Sequence, residues 1–407
     1  IHHLKGANTM PLSHNVQRVQ PSVTMQISAK AAQMKRDGID VIALSAGEPD
    51  FDTPQNIKDA GIRAIEEGFT KYTTPGSGII ELKEAICRKF DRDNGLVYNT
   101  DEVIVNSGAK HSLFLAVAAL INPGDEVIIP TPYWVTYIEQ PRLVGGEPVI
   151  VETRVENGLK LTPDEFRQAI TPRTRMLFLC SPSNPSGSVY AREELESLAA
   201  VAVEHGIYVL SDEIYEKLVY DGVEHHSIAA CSPEAKALSI VVNGVSKAYS
   251  MTGWRIGYTG ASEEIIAGMN KVQSQEISHP SSISQKAAVE ALEGPQESVE
   301  VMRQAFDERR RYMVERLNAI EGIECTLPKG AFYAYPDVTA YYGRRAGDRV
   351  LADSVALCEY LLTEGKVACV PGAGFGTHQH MRISYATSME LIEAAMDRVE
   401  AALGALK

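Results

Sequence analysis

Between residues 103 and 242 short apolar runs alternate with amphipathic helical stretches, and this alternation constrains the fold more than any other feature of the chain. Val103 to Asn106, Val127 to Pro130, Pro148 to Glu152, Met176 to Cys180, Ile207 to Leu210 and Leu238 to Val242 read as buried strands, rich in β-branched or aliphatic residues and bounded by turn formers. Between them, stripes such as Leu195, Leu198, Ala199, Ala202 and Val203 recur at helical spacing. Thr162-Pro163-Asp164-Glu165 reads as a capping box: a hydroxyl at the cap, proline in first position and a carboxylate reaching back. Such alternation predicts an α/β fold, a mainly parallel sheet sandwiched by helices on both faces. Ligands bind beyond the carboxyl ends of the strands in these sheets. Ser107 to Lys110, Tyr133-Trp134, Asn184, Asp212, Tyr215 and Lys247 all fall at or just past those ends, and should converge on one crevice.

The flanks differ. Val41 to Leu44 is strand-like and runs into the breaker-rich Ala46-Gly47-Glu48-Pro49-Asp50-Phe51, and helices are expected from about Pro54 to Glu67 and Leu82 to Arg92. Past about Pro295 a long charged helix (Val299 to Leu317) leads to a helix near Ser354 to Glu364 and strands at Val367 to Val370 and Met381 to Tyr385. Thr387 to Glu390 reads as a second capping box opening a terminal helix. The expected organisation is therefore a tag remnant at 1–9 before a start at Met10, an N-terminal segment at 10–50 that joins the small domain, a large ligand-binding domain at 51–295, and a smaller α+β domain at 296–407.

A net charge of -14 argues against a nucleic-acid or acidic-membrane partner, which would need a basic face. No apolar run is long enough to span a bilayer, and no secretory signal is visible. The six cysteines form no C-x-x-C pair, which fits reduced thiols in a cytoplasmic protein better than a zinc site or a disulfide frame, so no metal is expected.

Lys247 is the centre of the functional reading. It follows a core strand and is hemmed in by Gly, Ser and Thr in Asn243-Gly-Val-Ser-Lys-Ala-Tyr-Ser-Met-Thr-Gly-Trp-Arg-Ile-Gly-Tyr258. Desolvation there favours the neutral, nucleophilic amine that Schiff-base chemistry with an aldehyde requires. If the aldehyde is pyridoxal phosphate, each strand-end residue has work suited to its type. Asp212 would hold a proton on the ring nitrogen. Asn184 and Tyr215 could donate to the phenolate oxygen, and Trp134 could stack on the ring. The amides of Gly108, Ala109 and Lys110 at a helix N-terminus could hold the phosphate, helped by Ser246 and Arg255. The freed Lys247 amine could shuttle a proton, and Arg382 could grip a substrate α-carboxylate bidentately. Each residue taken singly has a plainer use: Asp212 as a helix cap, Asn184 as a turn former before Pro185, Trp134 as core, Arg382 as a surface ion-pair partner.

The motifs together resemble the fold-type I pyridoxal-phosphate aminotransferases, specifically the class I aspartate aminotransferases of the bacterial Ib subgroup. They are Ala-Gly47-Glu-Pro-Asp-Phe, Lys-Tyr72, Ser-Gly-Ala-Lys110, Pro-Tyr-Trp134, Ser-Asn184-Pro, Ser-Asp212-Glu-Ile-Tyr215, Ser-Lys247 with Gly-Trp-Arg255, and Arg382-Ile-Ser-Tyr. The resemblance runs from about Ser13 to Leu403. It implies a homodimer with shared active sites, in which Tyr72 reaches the neighbour's cofactor phosphate and Gly47 offers backbone contact to the substrate carboxylate. Two departures stand out. Gly244 occupies a position that is serine in some relatives, and no arginine of the Ia type appears around Ser274 to Ser284 to read a distal carboxylate. In the Ib subgroup that role resembles the task of Lys110.

Lys110 would favour aspartate, glutamate and their oxo acids. Lys110 together with Thr24, in Pro21-Ser-Val-Thr24, also resembles the pattern of Ib enzymes that convert prephenate to arogenate. The implied activity is amino transfer between aspartate or glutamate and oxaloacetate, 2-oxoglutarate or prephenate. The alternatives on this scaffold are a pyridoxal-phosphate lyase or synthase and an aminotransferase for aromatic amino acids. A nicotinamide-dependent dehydrogenase is disfavoured because no G-x-G-x-x-G occurs.

Overall fold

A computed structural model describes residues 12–407; the expected tag remnant at 1–9 and the start at Met10 lie outside the described residues. Seven strands build the central sheet: β1 (Val103–Asn106), β2 (Glu126–Pro130), β3 (Glu147–Val151), β4 (Thr174–Cys180), β5 (Tyr208–Asp212), β6 (Ser239–Gly244) and β7 (Gly257–Gly260). Their spatial order is β1-β7-β6-β5-β4-β2-β3. Only β7 runs antiparallel to its neighbours, so the sheet is mainly parallel as the alternation requires.

Side-chain alternation along each strand sends neighbours to opposite faces. Val127, Ile129, Met176, Phe178, Leu210 and Ile240 pack into one buried cluster, while Ile128, Leu177, Leu179 and Val209 pack into another. Helices supply the covering layers. Those used below are α1 (Ile80–Asn94), α2 (Ala109–Leu120), α3 (Thr136–Leu143), α4 (Arg192–His205), α5 (Glu263–Glu276), α6 (Ser282–Glu293) and α7 (Glu297–Asn318). Leu113 and Ala116 of α2 and Ile266 and Met269 of α5 join the first cluster, and Leu195 and Leu198 of α4 join the second. Both faces of the inner strands are thus dry, which is why those strands read as continuous apolar runs, while the edge strand β3 keeps Glu147 and Ile150 exposed.

Cys180 opposes Asp212, and Asp212 opposes Val242 across the parallel ladder. The carboxyl ends of β4, β5 and β6 therefore lie level, and the residues that follow them emerge side by side. Beyond α7, an antiparallel three-stranded sheet joins Val370–Pro371, Met381–Ser384 and Tyr333–Ala334. The early strand Ile42–Ala43 pairs in parallel with Val367–Ala368, and Ile42 and Leu44 share a core with Phe306, Met313 and Leu317 of α7. No described helix is long and apolar enough to cross a membrane.

One local expectation is corrected. The second capping box does not form: Ser388 is the cap and accepts from Leu391 N, which leaves Glu390 one position too early to reach back. Past Lys247, Thr252–Trp254 forms a 3-10 turn and Arg255 adopts a left-handed φ of 57° before β7 begins at Gly257. In the N-terminal segment Val23–Arg36 is a helix, capped by the Ser22 hydroxyl.

Candidate active site

The lengths of the β-α connections decide what reaches the level strand ends. Asp212 is the last residue of β5, Lys247 lies three residues past β6, and Asn184 lies four past β4. Their side chains line one cavity of about 260 Å³, together with Tyr215, Ser246 and Trp134. Lys110, Arg255 and Arg382 form its charged wall beside Ala109, and Thr24 and Gly47 close it from the N-terminal segment.

Lys247 Nζ donates to the carbonyl of Gly47 at 2.6 Å. Burial pulls its pKa down to about 8; Glu48 opposes that fall, and the Arg382 and Arg255 guanidiniums add to it. A side chain at Gly47 would collide with the Tyr333 hydroxyl, so the close approach of this backbone requires glycine. Gly47 thus meets the amine through its own carbonyl.

Asp212 is held twice. Tyr137 Oη donates to Oδ2 at 2.7 Å and the Ile214 amide to Oδ1 at 3.2 Å. Burial pushes its pKa up to about 6 despite both donors. A buried carboxylate without a cationic partner is costly, so this one gains from any cation placed against it. It caps no helix.

Arg382 is 1% exposed and is not a surface ion-pair partner. Nη1 donates to Asn184 Oδ1 at 2.9 Å and Nη2 to the Ser45 carbonyl at 2.7 Å, while Nε is buried with no partner among the described residues. Tyr333 and Phe375 lie against the guanidinium, 4.4 and 5.0 Å from ring centroid to Cζ. A buried guanidinium with neutral partners only is poised for an anion. Asn184 therefore does more than shape a turn. Tyr215 Oη shares a 2.8 Å hydrogen bond with Tyr333 Oη.

At the mouth, Arg255 covers the start of α2. A side chain on Gly108 would strike its guanidinium, and one on Gly257 would strike the backbone of Gly108 and Ala109. Gly108 lines no part of the cavity, and its amide is already committed to the Asn106 carbonyl at 2.8 Å. It supplies room where a donor was expected. The amides of Ala109 and Lys110, in the first turn of α2, have no intrahelical acceptor and remain suited to an anion. Lys110 Nζ stands 4.7 Å from the Trp134 ring centroid; burial lowers its pKa, and Arg255 adds to the effect. Trp134 is half-buried: it packs against the core cluster on one side and lines the cavity on the other.

Tyr72 stays apart: it is 88% exposed, with its ring edge-on to His279 at 5.6 Å. Sequence reasoning missed Tyr137, Tyr333 and Ser45. Tyr137 follows Trp134 by three residues on α3, and Tyr333 sits in Gly330-Ala-Phe-Tyr, so the signals were proximity to a strand end and a glycine-led aromatic pair. Thr24 Oγ1 is buried without a partner at the rim.

Comparison with known proteins bears on what this cavity does. Residues 39–399 match the family model described as aminotransferase class I and II. The chain is 51% identical to an aspartate aminotransferase of Bacillus sp. (strain YM-2), covering 96% of this chain and 98% of that one. It is 48% identical to an aspartate/prephenate aminotransferase of Nitrosomonas europaea, covering 97% and 100%. A solved structure of the Thermus thermophilus aspartate aminotransferase with maleate superposes with a TM-score of 0.91 at 45% identity, covering 97% and 100%.

Proposed function

The chain belongs to the class I and II aminotransferases, and from that premise we propose that it transfers the amino group between aspartate or glutamate and 2-oxo acids, with pyridoxal 5'-phosphate held at Lys247. One observation carries the proposal: Lys247 Nζ, the Asp212 carboxylate and the Arg382 guanidinium share one small cavity.

The donor set fits the cofactor. Arg255, Ser246 and the amides of Ala109 and Lys110 suit its phosphate, and glycine at 108 and 257 keeps that corner open. When bound, pyridoxal phosphate supplies an electrophilic aldehyde and an electron-withdrawing pyridinium ring. The carboxylate of Asp212, fixed by Tyr137 and Ile214, would hold a proton at the ring nitrogen. Tyr215 and Asn184 would donate towards the phenolate oxygen, and Trp134 would cover a ring face. Arg382 binds the substrate α-carboxylate with a guanidinium already oriented by Asn184 and Ser45. Lys247 Nζ takes the proton from the substrate Cα and returns it.

The lowered pKa of Lys247 sets a pH dependence. The neutral amine is the nucleophile, and a pKa of about 8 leaves roughly one lysine in ten neutral at pH 7, against a few in ten thousand for an ordinary one. The rate at which cofactor-free protein takes up pyridoxal phosphate should rise with pH through about 8 and then level off. A rate still climbing tenfold per unit above pH 9 would contradict this.

Lys110 is the dicarboxylate reader in this scheme, and the relative solved with maleate binds a dicarboxylate. Lys110→Ala is expected to lower kcat/KM for aspartate about 30-fold and that for a monocarboxylic amino acid by less than about threefold. Equal losses would mean that Lys110 acts through the cofactor phosphate. Prephenate is a further acceptor in this proposal, supported by the Lys110 and Thr24 pair and by relatives named for it. Single-turnover reaction of protein loaded with pyridoxamine phosphate against oxaloacetate, 2-oxoglutarate and prephenate tests both halves. No turnover with prephenate removes it as an acceptor, and no turnover with any oxo acid removes the aminotransferase reading.

The working unit in this proposal is a homodimer. Ile62, Ile65 and Tyr72 are exposed, an apolar set that a second copy would cover. Arg255 and Lys110 also line a neighbouring cleft of about 630 Å³, through which the partner's Tyr72 would approach the phosphate.

A further inference from the structure

Behind the turn that carries Asp212 and Tyr215 lies a second polar cluster that the chemistry above does not use. Glu213 and Glu216 are buried, and neither lines the cavity. Glu213 Oε1 accepts from the hydroxyls of Ser211 at 2.9 Å and Ser227 at 2.7 Å, and Oε2 faces His225 Nε2 at 3.0 Å. An ionised carboxylate only accepts, so Nε2 is the N–H of that ring. Glu216 pairs with the Lys89 ammonium and accepts from Asn94 Nδ2 at 2.9 Å.

The ligand atoms of Glu213, Glu216 and His225 lie within 4.8 Å of one another, the spacing of a metal site. Charge and saturation argue otherwise. Lys89 already supplies the cation for Glu216, and both Glu213 oxygens already have donors. The cluster works as an anchor. Buried carboxylates must be matched, so donors from α1 (Lys89, Asn94) and from the 225–227 loop fix the two side chains interleaved with Asp212 and Tyr215. On the cavity side, by contrast, the Asp212 carboxylate has one hydroxyl and one amide.

We infer that Glu213 and His225 are positioning residues: their hydrogen bond sets the 212–215 turn from behind, so that the Asp212 carboxylate and the Tyr215 hydroxyl meet the cofactor ring without rearrangement. The inference rests on the cofactor reading proposed above. Small displacements of such groups cost far more in rate than in fold stability.

The test is cofactor titration of the apoprotein, followed by steady-state kinetics on the reloaded protein. His225→Phe should raise the Kd for pyridoxal phosphate about tenfold and lower kcat about tenfold, while the KM for aspartate moves less than about threefold because Arg382 is untouched. His225→Gln, whose amide can donate to Glu213 from nearly the position of Nε2, should recover most of both losses. Unchanged cofactor affinity in His225→Phe, however far its melting temperature falls, would overturn the inference, as would equal losses in the two variants. If His225→Phe does not fold, His225→Asn replaces it with the same expectation, since its shorter amide stays polar but does not reach Glu213 Oε2. Wild-type affinity in that variant overturns the inference too. A wild-type protein that binds no pyridoxal phosphate is a distinct result, visible without any variant, and removes the cofactor reading and this inference together.

Discussion

Lys247→Ala is expected to lower transamination of aspartate by at least about 10⁴-fold, because one side chain both attacks the cofactor aldehyde and moves the substrate proton. The fold should survive. Among the described residues Lys247 makes one hydrogen bond, to the Gly47 carbonyl, and pairs with no carboxylate. Its amine also sits desolvated below its ordinary pKa, so the native state gains little from it. The variant should bind pyridoxal phosphate more weakly, through Arg255 and the start of α2, and lack the visible absorbance band of the lysine-bound cofactor. Small primary amines added to the medium should restore part of the proton transfer. A variant with a tenth or more of wild-type turnover would show that another group does this work.

Asp212→Asn should be nearly as damaging to activity, about 10³-fold, because an amide cannot hold a proton on the ring nitrogen as a carboxylate does. Its effect on the cofactor-free protein should have the opposite sign. Asp212 has a folded-state pKa raised from 3.8 to about 6, so it favours the folded state in its protonated form. Its contribution is complete at low pH and is lost as pH rises from about 4 through about 6. Above that window the ionised carboxylate destabilises the empty protein by about 2–3 kcal/mol, and asparagine removes the penalty, its Oδ1 accepting from the Ile214 amide and its Nδ2 donating to the Tyr137 hydroxyl oxygen. Apo Asp212→Asn should therefore melt higher than apo wild type at pH 7.5 and no higher at pH 4. Cofactor should reverse the order by stabilising the wild type more. Equal melting temperatures at pH 7.5 would mean that water or a nearby cation already satisfies Asp212.

Much of this site was legible because its parts sit where a parallel sheet must place them. Continuous apolar runs marked β1 to β6, and the breakers after them marked the ends that converge. What stayed hidden depends on the third dimension. Tyr137 lies on α3, a short helix with Pro141 inside it and no strong stripe, so nothing in the sequence tied its hydroxyl to a carboxylate 75 positions away. Arg382 read equally well as a surface cation until the aromatic walls of Tyr333 and Phe375 appeared around it. Gly108 looked like an anion-binding amide, and only the position of the Arg255 guanidinium shows that its missing side chain is what matters. The Glu213 and His225 anchor was invisible for a similar reason. Charged residues next to a functional aspartate read as solvated until their burial is seen.

The central claim is a covalent one, and borohydride trapping tests it most directly. Protein saturated with pyridoxal phosphate, reduced, digested and mapped by mass spectrometry should carry one phosphopyridoxyl group per chain, on Lys247. Prior incubation with aspartate should abolish the label by converting the cofactor to its amine form. Label on Lys110 or spread over surface lysines, or label at Lys247 that aspartate does not diminish, would contradict the account.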